Sequence, residues 1–288
     1  MQRLTVLAMA LAAAVSAHAA DSAKKIYAQE LVDKIVAANP AVVAVEMHVT
    51  PPKATDNIVV ASNHGHLGQK ADPDDLEVIS TGKTRAETNK AGDRYEVELV
   101  MLDASRRPVG ALELQFPYKS GTDTTALQKK AVGIRDDLAR HISHVGNLME
   151  RTPMDASIPQ HTFAQKLVDQ ALAANPDIVI IAMHIKAPTN QAYPIVASNI
   201  GRIGKKADKD DMEVINTAKP RLEINDSGDR FESEGALRDA KGEVIGALGV
   251  VFPYKKGQDQ APLHARAEAI RSEMAKQISK PEKLLEAP

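Results

Sequence analysis

Apolar and polar positions follow two rhythms along this chain, and the succession of rhythms runs through twice. Ile26, Leu31, Ile35 and Val36 fall near one helical face and predict an amphipathic helix over residues 23–38. Asn39-Pro40 stops it, because the residue before a proline avoids the helical region. Residues 42–49 are dense in β-branched side chains and read as a strand, and residues 58–62 as a second, shorter one. Asp72-Pro73-Asp74-Asp75 is a helix start: an N-cap aspartate, proline at the first position, and acids at the positive end of the helix dipole. That helix runs to about residue 81, and a short extended segment follows at 84–89. Residues 95–102 alternate apolar and polar, 103–107 turn the chain, and 109–116 return as the second arm of an antiparallel hairpin. A closing helix spans 124–142.

The same order returns 136 positions later (164 − 28) without a gap. Ala28-Gln29 matches Ala164-Gln165, Met47-His48 matches Met183-His184, and Phe116-Pro117-Tyr118 matches Phe252-Pro253-Tyr254. About half of the aligned positions are identical. A unit this long is a whole domain, not a solenoid repeat of roughly 20–50 residues. Gly146, Pro153 and Pro159 among polar residues mark a linker over 146–160, with units at 20–145 and 161–288.

The predicted class is α+β, with a five-stranded antiparallel sheet and packed helices in each unit. The long leading helix, the helix after the second strand, and the hairpin ending Val109-Gly110-Ala111-Leu112 with Phe116-Pro117-Tyr118 resemble an extracytoplasmic Cache (PDC sensor) domain, a PAS-like layout. The resemblance covers nearly all of both units. It implies two tandem PAS/Cache-like domains, each with a small-molecule pocket between the sheet and its middle helix.

Composition narrows the function classes. Aromatics are 3% of residues and Trp is absent, so the cores rest on Val, Ile, Leu, Ala and Met. A formal net charge of -2 with no basic run argues against nucleic acid as a partner. The absence of cysteine excludes thiol nucleophiles, thiolate zinc sites, iron–sulfur clusters and covalently attached haem. Arg3, the apolar stretch at 4–15 and Ala17-His18-Ala19 fit a signal peptide over residues 1–19, cleaved before Ala20, so a periplasmic protein is expected. The apolar stretch is shorter than the roughly 20 residues of a membrane helix, and the mature chain is not expected to span a membrane.

Strand alternation separates the sheet faces. Leu112, Leu114 and Phe116 match Leu248, Val250 and Phe252 and belong to the core. The other face carries Glu46, His48, Glu113 and Gln115 in unit one, where unit two has Ala182, His184, Gly249 and Val251. Either this face lines pockets that differ between units, or unit one turns it to water while unit two packs it against a partner. Glu46, His48 and Glu113 carry the donors of a carboxylate–imidazole site for a divalent ion, although His48 and His184 equally suit structural hydrogen bonds. His64-Gly65-His66 has metal-like spacing, for which a solvated loop is the simpler account. Arg85 and Arg221 can clamp a carboxylate or pair on the surface, and Asn63 and Asn199 can bond a ligand or cap a turn. The candidate ligand-binding set is therefore Glu46, His48, Asn63, Arg85, Glu113, Gln115, His184, Asn199 and Arg221.

No phosphate-binding glycine loop, serine elbow or metalloprotease helix motif is present, so neither an enzyme nor a cofactor is expected. The leading expectation is an exported small-molecule-binding or sensing protein. It would present its bound state to a membrane sensor, transporter or outer-membrane receptor. The alternatives are a metal or haem binder using the His and acidic residues of unit one, and a non-binding structural adaptor.

Overall fold

The computed structural model describes residues 25–288, and the export segment expected at 1–19 lies outside them. Unit one runs α1 (Tyr27–Ala38), β1 (Ala44–Val49), β2 (Ile58–Ser62), α2 (Pro73–Thr81), β3 (Arg85–Thr88), β4 (Arg94–Leu102), β5 (Pro108–Pro117) and α3 (Thr124–Ala139). A short helix, α4 (Val145–Leu148), follows. Unit two then repeats the order as α5 (Phe163–Ala174), β6 (Ile180–Ile185), β7 (Ile195–Ser198), α6 (Lys209–Thr217), β8 (Arg221–Ile224), β9 (Arg230–Arg238), β10 (Val244–Pro253) and α7 (Ala261–Gln277). Helix α1 starts later than its apolar pattern predicts because Ile26 is extended and bridges Arg151.

The α+β class holds, with two tandem five-stranded sheets ordered β2-β1-β5-β4-β3 and β7-β6-β10-β9-β8, all pairs antiparallel. One face of each sheet is the core. Val45, Met47, Leu112, Leu114 and Phe116 cluster with residues of α1 and α3, and Ile181, Met183, Leu248, Val250 and Phe252 cluster with residues of α5 and α7. Burying such a side chain contributes about 1.5–3 kcal/mol, so this face holds each sheet to its long helices. Helix α2 packs on β4 and β5 through a smaller cluster of Val78, Val100, Leu102 and Ala111. No helix among the described residues is long and apolar enough to cross a membrane.

The two units join through unlike surfaces. The loop after β7 docks on α1 and α4: the Tyr27 ring lies under Gly201, Arg202 pairs with Glu150 at 2.7 Å, and Asn147 Nδ2 donates to the Ile200 carbonyl at 3.1 Å. A second contact inserts Arg230 of β9 against Asp103 and the Ser143 carbonyl, at 3.2 and 3.0 Å.

Candidate metal centre

Strand register places three carboxylates side by side on adjacent strands. Glu46 on β1 lies opposite Glu113 on β5, and Glu113 lies opposite Glu98 on β4. One row along, Gln115 faces Glu96, and on the other side His48 faces Ala111. This face is not turned to water in unit one, as one of the two sequence readings had it. Glu46 is 3% exposed and His48 4%, beneath α2.

Like charges opposite one another destabilise a sheet. Two carboxyls respond by holding their protons. Burial, with Asp75 and Glu96 nearby, pushes Glu98 up to about 7. Burial, with Glu96 beside it, pushes Glu113 up to about 8. Gln115 Nε2 donates to both Glu113 (2.7 Å) and Glu96 (3.0 Å), and its own oxygen accepts from Arg94 at 3.0 Å.

Glu46 is the hub. Its Oε1 lies 2.7 Å from His66 Nδ1 and 2.9 Å from His64 Nε2, and its Oε2 lies 3.4 Å from His48 Nε2. Burial works to raise Glu46, but His48, His66 and His64 outweigh it and hold the carboxyl below its usual range. His48 is placed differently from the other two rings. Both of its nitrogens are buried without a hydrogen-bond partner. Its Nδ1 sits 3.3 Å from Asp75 Oδ2, and its Nε2 sits 3.9 Å from Glu113 Oε2. Asp75 is fixed by the capping box that starts α2, where its Oδ2 accepts from the Asp72 N–H at 2.9 Å. So a local helix-start signal sets the carboxylate behind the buried imidazole.

One of these spacings equals the separation of two ligands around a cation. Donors about 2.1 Å from one tetrahedral ion stand about 3.4 Å from each other. Glu46 Oε2 and His48 Nε2 have that separation, and the donors of Glu46, His48 and Glu113 all lie within 4.8 Å of one another. An Asp–His pair behind a ligating nitrogen is the usual way to fix an imidazole tautomer for a metal. A groove of about 540 Å³ lies elsewhere, between α1 and α3, lined by Leu31, Ile35, Lys130 and Ile134.

Of the sequence candidates, the fold brings Glu46, His48, Glu113 and Gln115 together. Asn63 and Asn199 are tied to backbone: each accepts from a first-strand amide (Val45 at 2.8 Å, Ile181 at 2.9 Å) and donates to nearby carbonyls. Arg85 pairs with Asp74 and Glu87, and Arg221 with Asp210 and Glu223, all on the surface. His184 bonds the Tyr193 carbonyl through Nδ1 at 2.8 Å. Sequence reasoning missed Asp75, Glu96 and Glu98 as members of the site. Their signal was the repeat itself, since Asp211, Glu232 and Glu234 keep all three.

Unit two retains this acid stack but loses four donors: Ala182, Ile200, Arg202 and Gly249 stand where unit one has Glu46, His64, His66 and Glu113. Burial, with Asp211 close by, pushes Glu234 up to about 9 from its ordinary 4.5. The folded chain thus keeps a proton that the unfolded chain releases above pH 4.5. Stability from this group is complete below that value and is lost as pH rises through about 9. Glu234→Gln is expected to raise stability by about 1–3 kcal/mol at pH 8.5 and leave it unchanged at pH 4, read by urea unfolding. Equal effects at both pH values would show that Glu234 does not hold this proton.

No protein-family model matches the chain, and no curated protein matches it. Among solved structures, the repressor BlcR of Agobacterium tumefaciens aligns over 44% of this chain and 71% of its own, at 7% identity and TM-score 0.31. PelD of Pseudomonas aeruginosa aligns over 90% of this chain and 79% of its own, at 13% identity and TM-score 0.28. A light-oxygen-voltage domain aligns over 35% of this chain and 93% of its own, at 17% identity and TM-score 0.22. None of these likenesses assigns a ligand or a role to this chain.

Proposed function

We propose that this chain is an exported, Cache-like metal-ion-binding protein whose first unit holds a divalent cation on Glu46, His48 and Glu113. The observation that carries this reading is His48, a 4%-exposed imidazole whose nitrogens make no well-aligned hydrogen bond but face Asp75 at 3.3 Å, Glu46 at 3.4 Å and Glu113 at 3.9 Å. With its proton on Nδ1 toward Asp75, the ring turns its Nε2 lone pair to the Glu46 and Glu113 carboxyls, and a cation placed between them would satisfy it. A cation on Glu113 would take the place of the proton that this carboxyl otherwise holds, so uptake would release a proton. One imidazole among carboxylates suits ions such as Zn2+, Fe2+ and Mn2+. The ligand class is thereby narrowed from a small molecule in general to an ion.

Export to the periplasm is supported by the signal-peptide pattern of residues 1–19. The output follows from the second layer of the site. An ion on His48 would change the charge facing Asp75, the carboxylate that caps the start of α2. That roof is the surface a membrane sensor, transporter or outer-membrane receptor would read.

Calorimetric titration of the mature chain with Zn2+ tests the reading. Saturable binding is expected, weakened at least tenfold in His48→Gln. A folded His48→Gln protein that binds Zn2+ as tightly as wild type overturns the proposal.

A further inference from the structure

The inner cation engages only one oxygen of Glu46. We infer that His64 and His66 form a second, outer cation site, joined to the inner one by the Glu46 carboxylate as a bridging ligand. This rests on the inner site proposed above. Oε2 of Glu46 faces His48 at 3.4 Å, whereas Oε1 meets His66 Nδ1 at 2.7 Å and His64 Nε2 at 2.9 Å. One carboxylate thus addresses two separate donor sets. Each of them, Glu46 with His64 and His66 or Glu46 with His48 and Glu113, places its donors within 4.8 Å.

The loop is built to bring both rings to one oxygen. Gly65 (φ 107°) and His66 (φ 67°) reverse the backbone between the two histidines. The rings meet edge to face, with centroids 5.0 Å apart and planes at 78°. Widening these two contacts by about 0.5–0.7 Å, with the proton gone from each ligating nitrogen, brings them to the ligand spacing of a shared ion. Unit two keeps the backbone, with Gly201 at φ 69° and Arg202 at φ 64°, but puts a guanidinium where the second ring would be. The donors unique to these two sites, Glu46, His64, His66 and Glu113, are replaced there as a set, while Asp75, Glu96 and Glu98 keep their counterparts.

The two ions differ in access. The inner one is closed over by α2. The outer one has three protein donors, and the side chain of His66 is 51% exposed, so its open positions take water or an anionic oxygen donor from outside. Carboxylate-bridged ions in such pairs stand about 3.5–4 Å apart, close enough for their unpaired electrons to couple.

The experiment is metal stoichiometry of the mature chain at Zn2+ saturation, with Mn2+ electron paramagnetic resonance on the same proteins. Wild type is expected to hold two Zn2+, and His64→Ala/His66→Ala one. Wild type with Mn2+ is expected to give an exchange-coupled spectrum, and the double variant the spectrum of an isolated ion. Both histidines lie on a surface loop, and an unchanged melting curve of the metal-free variant confirms its fold. If wild type binds only one Zn2+ and the double variant keeps it, the outer site is rejected and the inner one stands. If wild type binds only one Zn2+ and the double variant binds none, the inference is also rejected and the ion belongs to the loop imidazoles. Two Zn2+ with uncoupled Mn2+ rejects the bridge. No Zn2+ in wild type rejects both the inference and the function on which it rests.

Discussion

Asp103→Ala is expected to cost about 3–5 kcal/mol and to separate the unfolding of the two units. Asp103 sits at the turn between β4 and β5, where its Oδ1 accepts from the Ser105 and Arg107 amides at 2.8 and 3.0 Å. Its Oδ2 accepts from Arg107 Nε at 2.8 Å and from Arg230 Nη2 at 3.2 Å. Arg230 comes from the other unit and is only 8% exposed, with further bonds to Ser105 Oγ and the Ser143 carbonyl. Removing the carboxylate strands a buried guanidinium and frees a tight turn in one step. A domain has about 5–15 kcal/mol in total, so this loss is a large share. Denaturant unfolding monitored by two probes should resolve two transitions in the variant and one in wild type. Asp103→Leu combined with Arg230→Met should recover part of the loss, because apolar replacement of both partners removes the unpaired charge. A cost below about 1 kcal/mol for Asp103→Ala would show that this pair does not hold the units together.

Gly110→Ala should be at least as damaging, and it reaches the site directly. The methyl group would stand 2.0 Å from the His48 carbonyl oxygen and 2.9 Å from a methyl of Val49. The obstacle is backbone in the middle of a sheet, so no rotamer change relieves it. Strands β1 and β5 must part, at a cost of about 3 kcal/mol or more. Gly110 lies beside the bulge between Met101 and Leu102, and a Cβ on its counterpart Gly246 would stand 1.8 Å from the His184 carbonyl oxygen. Parting β1 from β5 moves His48 and Glu46 away from Glu113. Zn2+ uptake should therefore fall together with the midpoint of thermal unfolding. Full Zn2+ uptake in a Gly110→Ala protein of wild-type stability would contradict the close strand approach on which the inner site depends.

What could be read from the sequence was local. Asp72-Pro73 announces α2 because a cap and a proline act within one turn, and the alternation at 95–102 marks β4 because its faces differ in polarity. Duplication was legible because the offset of Ala28 to Ala164 holds without a gap. The site was legible only in part. Glu46, His48 and Glu113 could be put on one face by counting in twos, but their mutual distances depend on register. Register is altered by bulges at Met47/His48 and Met101/Leu102. Asp75 reads as an acid at a helix start, and nothing local says that its second role is to stand behind His48. His64 and His66 read as a solvated loop because the carboxylate they reach is 18 residues away from His64 in sequence and on another strand (64 − 46).

The joint between the units matches a plug to a socket, and the socket is the loop after β7. The corresponding loop of unit one is the one that carries the two imidazoles. A copy can spend that loop on gripping its neighbour or keep it open to the surroundings, but the same atoms cannot serve both ends. Two identical units joined this way are therefore driven apart in role by their position along the chain. The rear copy becomes the mount, and the front copy is left with a free hand.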